Sequence, residues 1–138
     1  LIVVDTNVVA DLLLPGPRTE LAEALRRQDR QWAAPILWRS EFRNVLTQHV
    51  RRNLLELPAA LALMHKAEGL LAALEQPVAS EQVLHLVSIS SCTAYDCEFV
   101  AAAQQLEVPL ITVDRAILKA FPTIAKPLHQ ATSLSSAA

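Results

Sequence analysis

Four acids stand where phosphate chemistry would need them. Asp5 ends the apolar run LIVVD, and Asp114 ends a second one, LITVD at residues 110–114. Asp96 lies in the first turn of the segment TAYDCEFVAAAQ, and Glu41 lies near the start of the segment that follows Pro35. Carboxylates gathered in one place repel by about 4 kcal/mol per pair at 4 Å for an effective dielectric of 20. A divalent cation removes that repulsion, and an all-oxygen donor set suits Mg²⁺ or Mn²⁺. A cation held this way activates water and stabilises in-line displacement at phosphorus. Each acid alone has an ordinary reading. Asp5 and Asp114 can cap helices, and Asp96 and Glu41 can complement helix dipoles for roughly 0.3–1 kcal/mol each. The chemistry rests on all four meeting.

The elements that must bring them together alternate in type. Residues 1–5 read as a continuous apolar strand of a parallel sheet covered on both faces. Thr6 or Asn7 can cap a short helix to about Leu14, broken by Pro15, Gly16 and Pro17. A helix over 18–30 turns Leu21, Ala22 and Leu25 inward, and Trp32–Ala34 is a short strand ended by Pro35. A helix over 36–53 follows, with Trp38, Phe42, Val45, Leu46 and His49 on one stripe. The next, over 59–75, buries a stripe from Ala60 to Leu74, with Met64 as core filler. Residues 77–79 read as a brief strand, and Ser80 as the cap of a helix with Val83, Leu84 and Val87 inward. Thr93 caps a helix to about Glu107, residues 110–113 form a strand, and a helix spans about 115–121. Residues 126–128 are a weak edge strand, and the tail from Thr132 reads as loose.

This alternation predicts a three-layer α/β/α fold with a parallel, doubly wound sheet of four to five strands. Its strand ends share one rim, where ligands bind. Asp5 and Asp114 belong to that rim, and helices returning to the sheet begin near it. At about 100° per residue, Asp96 flanks the stripe of Tyr95, Phe99, Val100, Ala103 and Leu106, whereas Glu98 points the opposite way. Glu41 likewise flanks Trp38, Phe42 and Val45.

Bulk properties bound the possibilities. The 138 residues suffice for one domain with a real core, and 52% hydrophobic residues argue against disorder. A net charge of −2 gives no global case for nucleic-acid binding. Local clusters do exist at Arg26, Arg27 and Arg30, at Arg39, Arg43, Arg51 and Arg52, and at Arg115 with Lys119. Cys92 and Cys97 lack metal-ligand spacing and are expected as reduced thiols in the cytoplasm. The four histidines are scattered and read as structural or exposed. No apolar run is expected to span a membrane, and no signal peptide is expected.

The residues VVDTN at 3–7, SEFRNVL at 40–46, TAYDCEFVAAA at 93–103 and LITVDRAIL at 110–118 resemble the four acidic motifs of the PIN domain. Their order and spacing are most similar to VapC-type toxins of type II toxin–antitoxin pairs. The resemblance covers nearly the whole chain. It implies a single PIN-like domain over 1–130, with a loose tail over 131–138. It further implies a Mg²⁺- or Mn²⁺-dependent endoribonuclease, working in the cytoplasm as a homodimer silenced by a cognate antitoxin. Asp5, Asp96 and Asp114 would hold the metal, directly or through water, and Glu41 would complete the site or orient the attacking water. Thr6, Asn7 and Thr112 match small polar residues that support the acids. The helix pair over 36–75 is the expected clamp for the antitoxin.

Three rivals remain. A phosphatase or phosphotransfer domain built on Asp5 would want a second Asp at Asn7, or a Lys where Arg115 follows Asp114, and it leaves Glu41 and Asp96 unused. A non-catalytic PIN-like module would bind RNA or protein without cutting; the intact set of acids argues against it. A DNA-directed or flap nuclease would use similar acids, but the chain has no obvious element for threading a flap.

Overall fold

The computed structural model describes the backbone of residues 1–137 and the side chains of residues 1–132. Five strands form one sheet in the order β3-β2-β1-β4-β5, all paired in parallel. They are β1 (Ile2–Val4), β2 (Trp32–Pro35), β3 (Glu75–Gln76), β4 (Leu110–Thr112) and β5 (Ala125–Pro127). Between them run α1 (Thr6–Leu13), α2 (Thr19–Gln28), α3 (Trp38–Arg51), α4 (Leu57–Leu71), α5 (Ser80–Ser88), α6 (Ala94–Leu106) and α7 (Arg115–Ala120), and α8 (Leu128–Ala137) follows β5.

The strand order fixes the layers. The chain moves from β1 to β2 to β3 in one direction, then doubles back across β1 to β4 and β5. Right-handed crossovers therefore put α1 to α4 on one face and α5 to α7 on the other. Packing agrees, since α1 contacts α2 and α3, α3 contacts α4, and α2 contacts α8, while α5 packs on α6. The central strands are buried from end to end because both faces are covered. The reversal of direction falls between β1 and β4, so the ligand crevice of this sheet opens at their carboxyl ends.

Local chemistry moved several expected boundaries. Asp5, rather than Thr6 or Asn7, caps α1 by accepting from the Thr6 N–H at 2.8 Å. Strand β3 lies at Glu75–Gln76, ahead of the expected 77–79. Pro77 has no N–H to extend a ladder, and a 3₁₀ turn at Ala72–Leu74 delivers the chain early, in register with Ala34 and Pro35. Ser80 is the first residue of α5 and not its cap. Within α5, Leu86 enters the core while Leu84 is 62% exposed. Tyr95, placed on the inward stripe of α6, is also exposed, and Cys97 and the run Phe99–Ala103 are buried instead. The run of small residues lets α6 lie against β1, β2 and β4 together. The segment Leu57–Leu74 is long and apolar enough to cross a membrane, which contradicts the expectation of no such run, yet it packs on α3 and β2. Residues 131–137, read as part of a loose tail, continue α8, and Thr132 at the start of that tail is buried. Residue 138 lies outside the described residues.

The caps separate by measurement. The Thr93 hydroxyl accepts from the Asp96 N–H at 3.1 Å. Thr93→Ala should therefore cost about 1 kcal/mol in urea unfolding. Ser80→Ala, which removes no cap, should stay within about 0.5 kcal/mol of the parent.

Candidate active site

The four acids arrive from all three layers. Asp5 follows β1 and Asp114 follows β4, so they flank the switch point in the middle layer. Glu41 comes from the first turns of α3 on one face, and Asp96 from the first turn of α6 on the other.

Asp5 is the most constrained of them. It is 8% exposed, and its two oxygens are both engaged. Oδ1 accepts from the Thr6 N–H, while Oδ2 accepts from the Thr112 hydroxyl at 2.7 Å and the Asn7 amide at 3.4 Å. The fully buried Thr112 hydroxyl also accepts from the Asp114 N–H at 3.0 Å. One hydroxyl thus ties the ends of β1 and β4 together. Asp114 turns Oδ1 onto the Ala116 and Ile117 N–H groups and caps α7. Thr6 donates its hydroxyl to Glu41 Oε1 at 2.6 Å, which joins α1 to α3. Thr6, Asn7 and Thr112, singled out as supports, all bond to the acids.

Electrostatics reveals how close the acids stand. Burial pushes the Asp5 carboxyl up to about 6, against the Thr112 hydrogen bond, and repulsion from Glu41 and Asp96 pushes the same way. Burial also raises Glu41, opposed by the Thr6 hydroxyl and reinforced by repulsion from Asp96 and Glu98. Glu98 is therefore a neighbour of Glu41, although the helical arc aimed it away from the site. Geometry within α6 alone could not reveal this, because the neighbour belongs to α3 across the rim. Burial raises the Cys92 and Cys97 thiols, and both remain free.

Among the described residues, no ion pair compensates these charges. The ion pairs among the described residues join Leu1 to Asp29, Arg18 to Asp11, and Arg39 to Glu68 and Glu75, and none reaches the four acids. The buried Asn7 Oδ1 has no hydrogen-bond partner either. Oxygen donors only, a buried carboxylate without a counter-ion and an orphaned amide oxygen together suit a hard divalent cation. The acids are not gathered into ligating range, however. Among the described residues, no three His, Cys, Asp or Glu side chains stand close enough to share an ion. Asp114 is drawn to a local donor on α7 and Glu41 to Thr6, while repulsion acts among Asp5, Glu41 and Asp96.

The raised Asp5 carboxyl has a consequence for stability. A group that binds its proton more tightly when folded makes the folded state lose stability as pH rises from its unfolded value of 3.8 to its folded value of about 6. The accumulated loss is about 3 kcal/mol, since each unit carries about 1.36 kcal/mol. Asp5→Asn keeps an acceptor for Thr6 and removes that loss. In EDTA, urea unfolding should find the variant more stable than the parent at pH 7.5, with the advantage gone at pH 4. An advantage of equal size at both pH values would refute the origin in a buried charge.

Known proteins share this arrangement of elements. The family model described as the PIN domain matches residues 2–122. Ribonuclease VapC3 of Pyrobaculum aerophilum is 29% identical over 129 residues, covering 91% of this chain and 98% of that protein. The crystal structure of PAE2754 from Pyrobaculum aerophilum superposes with a TM-score of 0.78 at 18% identity, over 99% of this chain and 97% of the other. FitAcB from Neisseria gonorrhoeae superposes with a TM-score of 0.74 at 19% identity, over 94% and 99%. FitAB bound to an IR36 DNA fragment gives 0.70 at 20% identity, over 93% and 95%. At these identities the solved structures speak for the fold, and the family match, which spans both flanking acids of the switch point, identifies the chain as a member of the PIN-domain family.

Proposed function

We propose that this protein is a Mg²⁺- or Mn²⁺-dependent endoribonuclease, the toxin of a toxin–antitoxin pair, acting in the cytoplasm. The observation that carries the reading is Asp5, a buried and uncompensated carboxylate at the switch point, with Glu41, Asp96 and Asp114 brought to the same rim from three other elements. Likeness to ribonuclease VapC3 over nearly the whole chain supports RNA as the substrate.

Asp5, Asp96 and Asp114 would hold the metal, directly or through water, and Glu41 would complete the site. When bound, the cation supplies electrophilic stabilisation of the phosphate and activates the attacking water. The remaining work belongs to the chain. Thr112 holds Asp5 and the backbone of Asp114 in a fixed relation through one hydroxyl. Thr6 fixes one oxygen of Glu41 and leaves the other to orient the water. The raised affinity of Glu41 for a proton suits it to accept one from that water.

An apolar groove of about 380 Å³ between α3 and α4 supports a protein partner. Leu46, Val50, Leu57, Leu61 and Met64 line it, and Arg43 and Arg51 stand at its border. Leu57 and Leu61 are 63% and 51% exposed, so a large apolar surface faces solvent here. We assign this groove to the cognate antitoxin, as an apolar segment flanked by acidic residues. A homodimer would use a different surface, and the exposed Leu84, Ile89 and Tyr95 of the α5–α6 side are available for it.

A second reading, a PIN-like module that binds RNA or protein without cutting, is favoured because, among the described residues, no three ligating side chains stand within reach of one ion. Incubation of the protein with an RNA pool separates the two. We expect cleavage with Mn²⁺ or Mg²⁺, none with EDTA, and none by Asp96→Asn at unchanged fold. RNA binding without cleavage in Mn²⁺ would select the module. Leu61→Glu should prevent co-purification with the antitoxin while leaving cleavage of RNA intact. Retention of the complex would place the antitoxin elsewhere.

A further inference from the structure

Arg39 makes a network that the proposed chemistry does not use. Its Nε donates to Glu75 Oε2 at 2.8 Å, its Nη2 donates to Glu75 Oε1 at 2.7 Å, and its Nη1 donates to Glu68. Trp38 Nε1 donates to the same Glu75 Oε2 at 3.1 Å, and the guanidinium lies 5.5 Å from the centroid of the Trp38 ring. The three charged side chains are largely covered, at 25%, 32% and 14% exposure for Arg39, Glu68 and Glu75. Glu75 is itself anchored, because β3 pairs with β2 in the register Ala34 to Glu75. A rigid path therefore runs from the sheet through Glu75 to Arg39 and the first turn of α3.

Glu41 sits on that same part of the helix. Two residues correspond to about 200° of rotation, so Arg39 and Glu41 leave α3 on opposite sides. Glu41 faces Thr6 and the repelling charges of Asp96 and Glu98. Its helix begins without help, since the Leu37 N-cap makes no side-chain hydrogen bond. The buried Trp38 and Phe42 and the contact with α1 hold the helix on the core, and the hydrogen bond that fixes the Glu41 carboxylate itself comes from the Thr6 hydroxyl. The restraint on the far side is a planar fork gripping both oxygens of one carboxylate, which fixes angle as well as distance.

We infer that Arg39 is a positioning residue for Glu41: by clamping the first turn of α3 to β3 and α4, it holds the Glu41 carboxylate at the acidic rim against the repulsion of its neighbours. The inference rests on the metal-dependent nuclease reading for its effect on activity, and on electrostatics alone for its effect on stability.

Both effects are measurable on the full chain. In EDTA, Arg39→Ala should lower the urea midpoint, and it should lower it more in a Glu41→Gln background, because with Glu41 present the release of the clamp also relieves the repulsion it opposes. Isothermal titration with Mn²⁺ should find Arg39→Ala about tenfold weaker than the parent, in the range of outer supports of metal ligands. Arg39→Lys should recover only part of that loss, because a point charge does not reproduce the fork. Cleavage by Arg39→Ala should show a lower kcat with an unchanged KM for RNA. Glu75→Gln carries the same comparison if Arg39→Ala does not fold. An equal midpoint shift with and without Glu41, or Mn²⁺ affinity matching the parent, would overturn the inference while leaving a parent that cuts RNA intact as a nuclease. A parent that neither binds Mn²⁺ nor cuts RNA would instead defeat the nuclease reading.

Discussion

A single buried carboxylate organises this structure. Asp5 ends the central strand at the point where the sheet reverses direction, and burial there raises its proton affinity well above the ordinary carboxylate range. It survives in that position because backbone and side-chain donors surround it. The Thr6 N–H, the Thr112 hydroxyl and the Asn7 amide are all aimed at its oxygens. None of those donors carries a formal charge, so they orient Asp5 without neutralising it. The site is held ready by hydrogen bonds and left electrostatically unbalanced.

The surrounding layers share this division of labour. Three of the acids have a structural task on one side and leave capacity on the other. Asp114 caps α7 with Oδ1, Glu41 accepts from Thr6 with Oε1, and Asp96 offers its N–H to Thr93 while its carboxylate remains apart from the cap. The ordinary reading of each acid as a capping or helix-start residue is therefore correct for part of each residue. For Asp5, Asp114 and Glu41 a hydrogen bond to the carboxylate holds it in place, and for Asp96 the cap fixes the backbone from which the carboxylate projects.

Much of this was legible in the sequence, and the failures share a cause. Apolar runs ending on Asp5 and Asp114 marked β1 and β4, and Thr93 marked the start of α6. These signals are local, and the capping bond of Thr93 closes over three residues. The errors arose where the decisive neighbour was distant in sequence. Tyr95 and Leu84 read as inward by arc alone; on α6 most of the circumference is buried, so a single stripe misjudged Tyr95, and on α5 the core takes Val83 and Leu86 instead of Leu84. Glu98 lay opposite Asp96 on the helical wheel and still raises the proton affinity of Glu41, a charge on α3 that a wheel of α6 alone does not contain. The Arg39 network was invisible for the same reason, since its partners lie 29 and 36 residues away.

The close packing of α6 on the sheet assembles the rim. Small residues make the approach possible: Ala101, Ala102 and Ala103 on α6 meet a sheet whose second strand contributes Ala33 and Ala34. A helix carried that near the sheet brings Asp96 within electrostatic reach of Asp5. The arginine that is strongly held in this neighbourhood, Arg39, points away from the acids and is already matched by Glu75 and Glu68. Asp5 is thus held by uncharged donors at the end of the central strand, with Glu41 and Asp96 near enough to raise its proton affinity and no ion pair among the described residues to offset them.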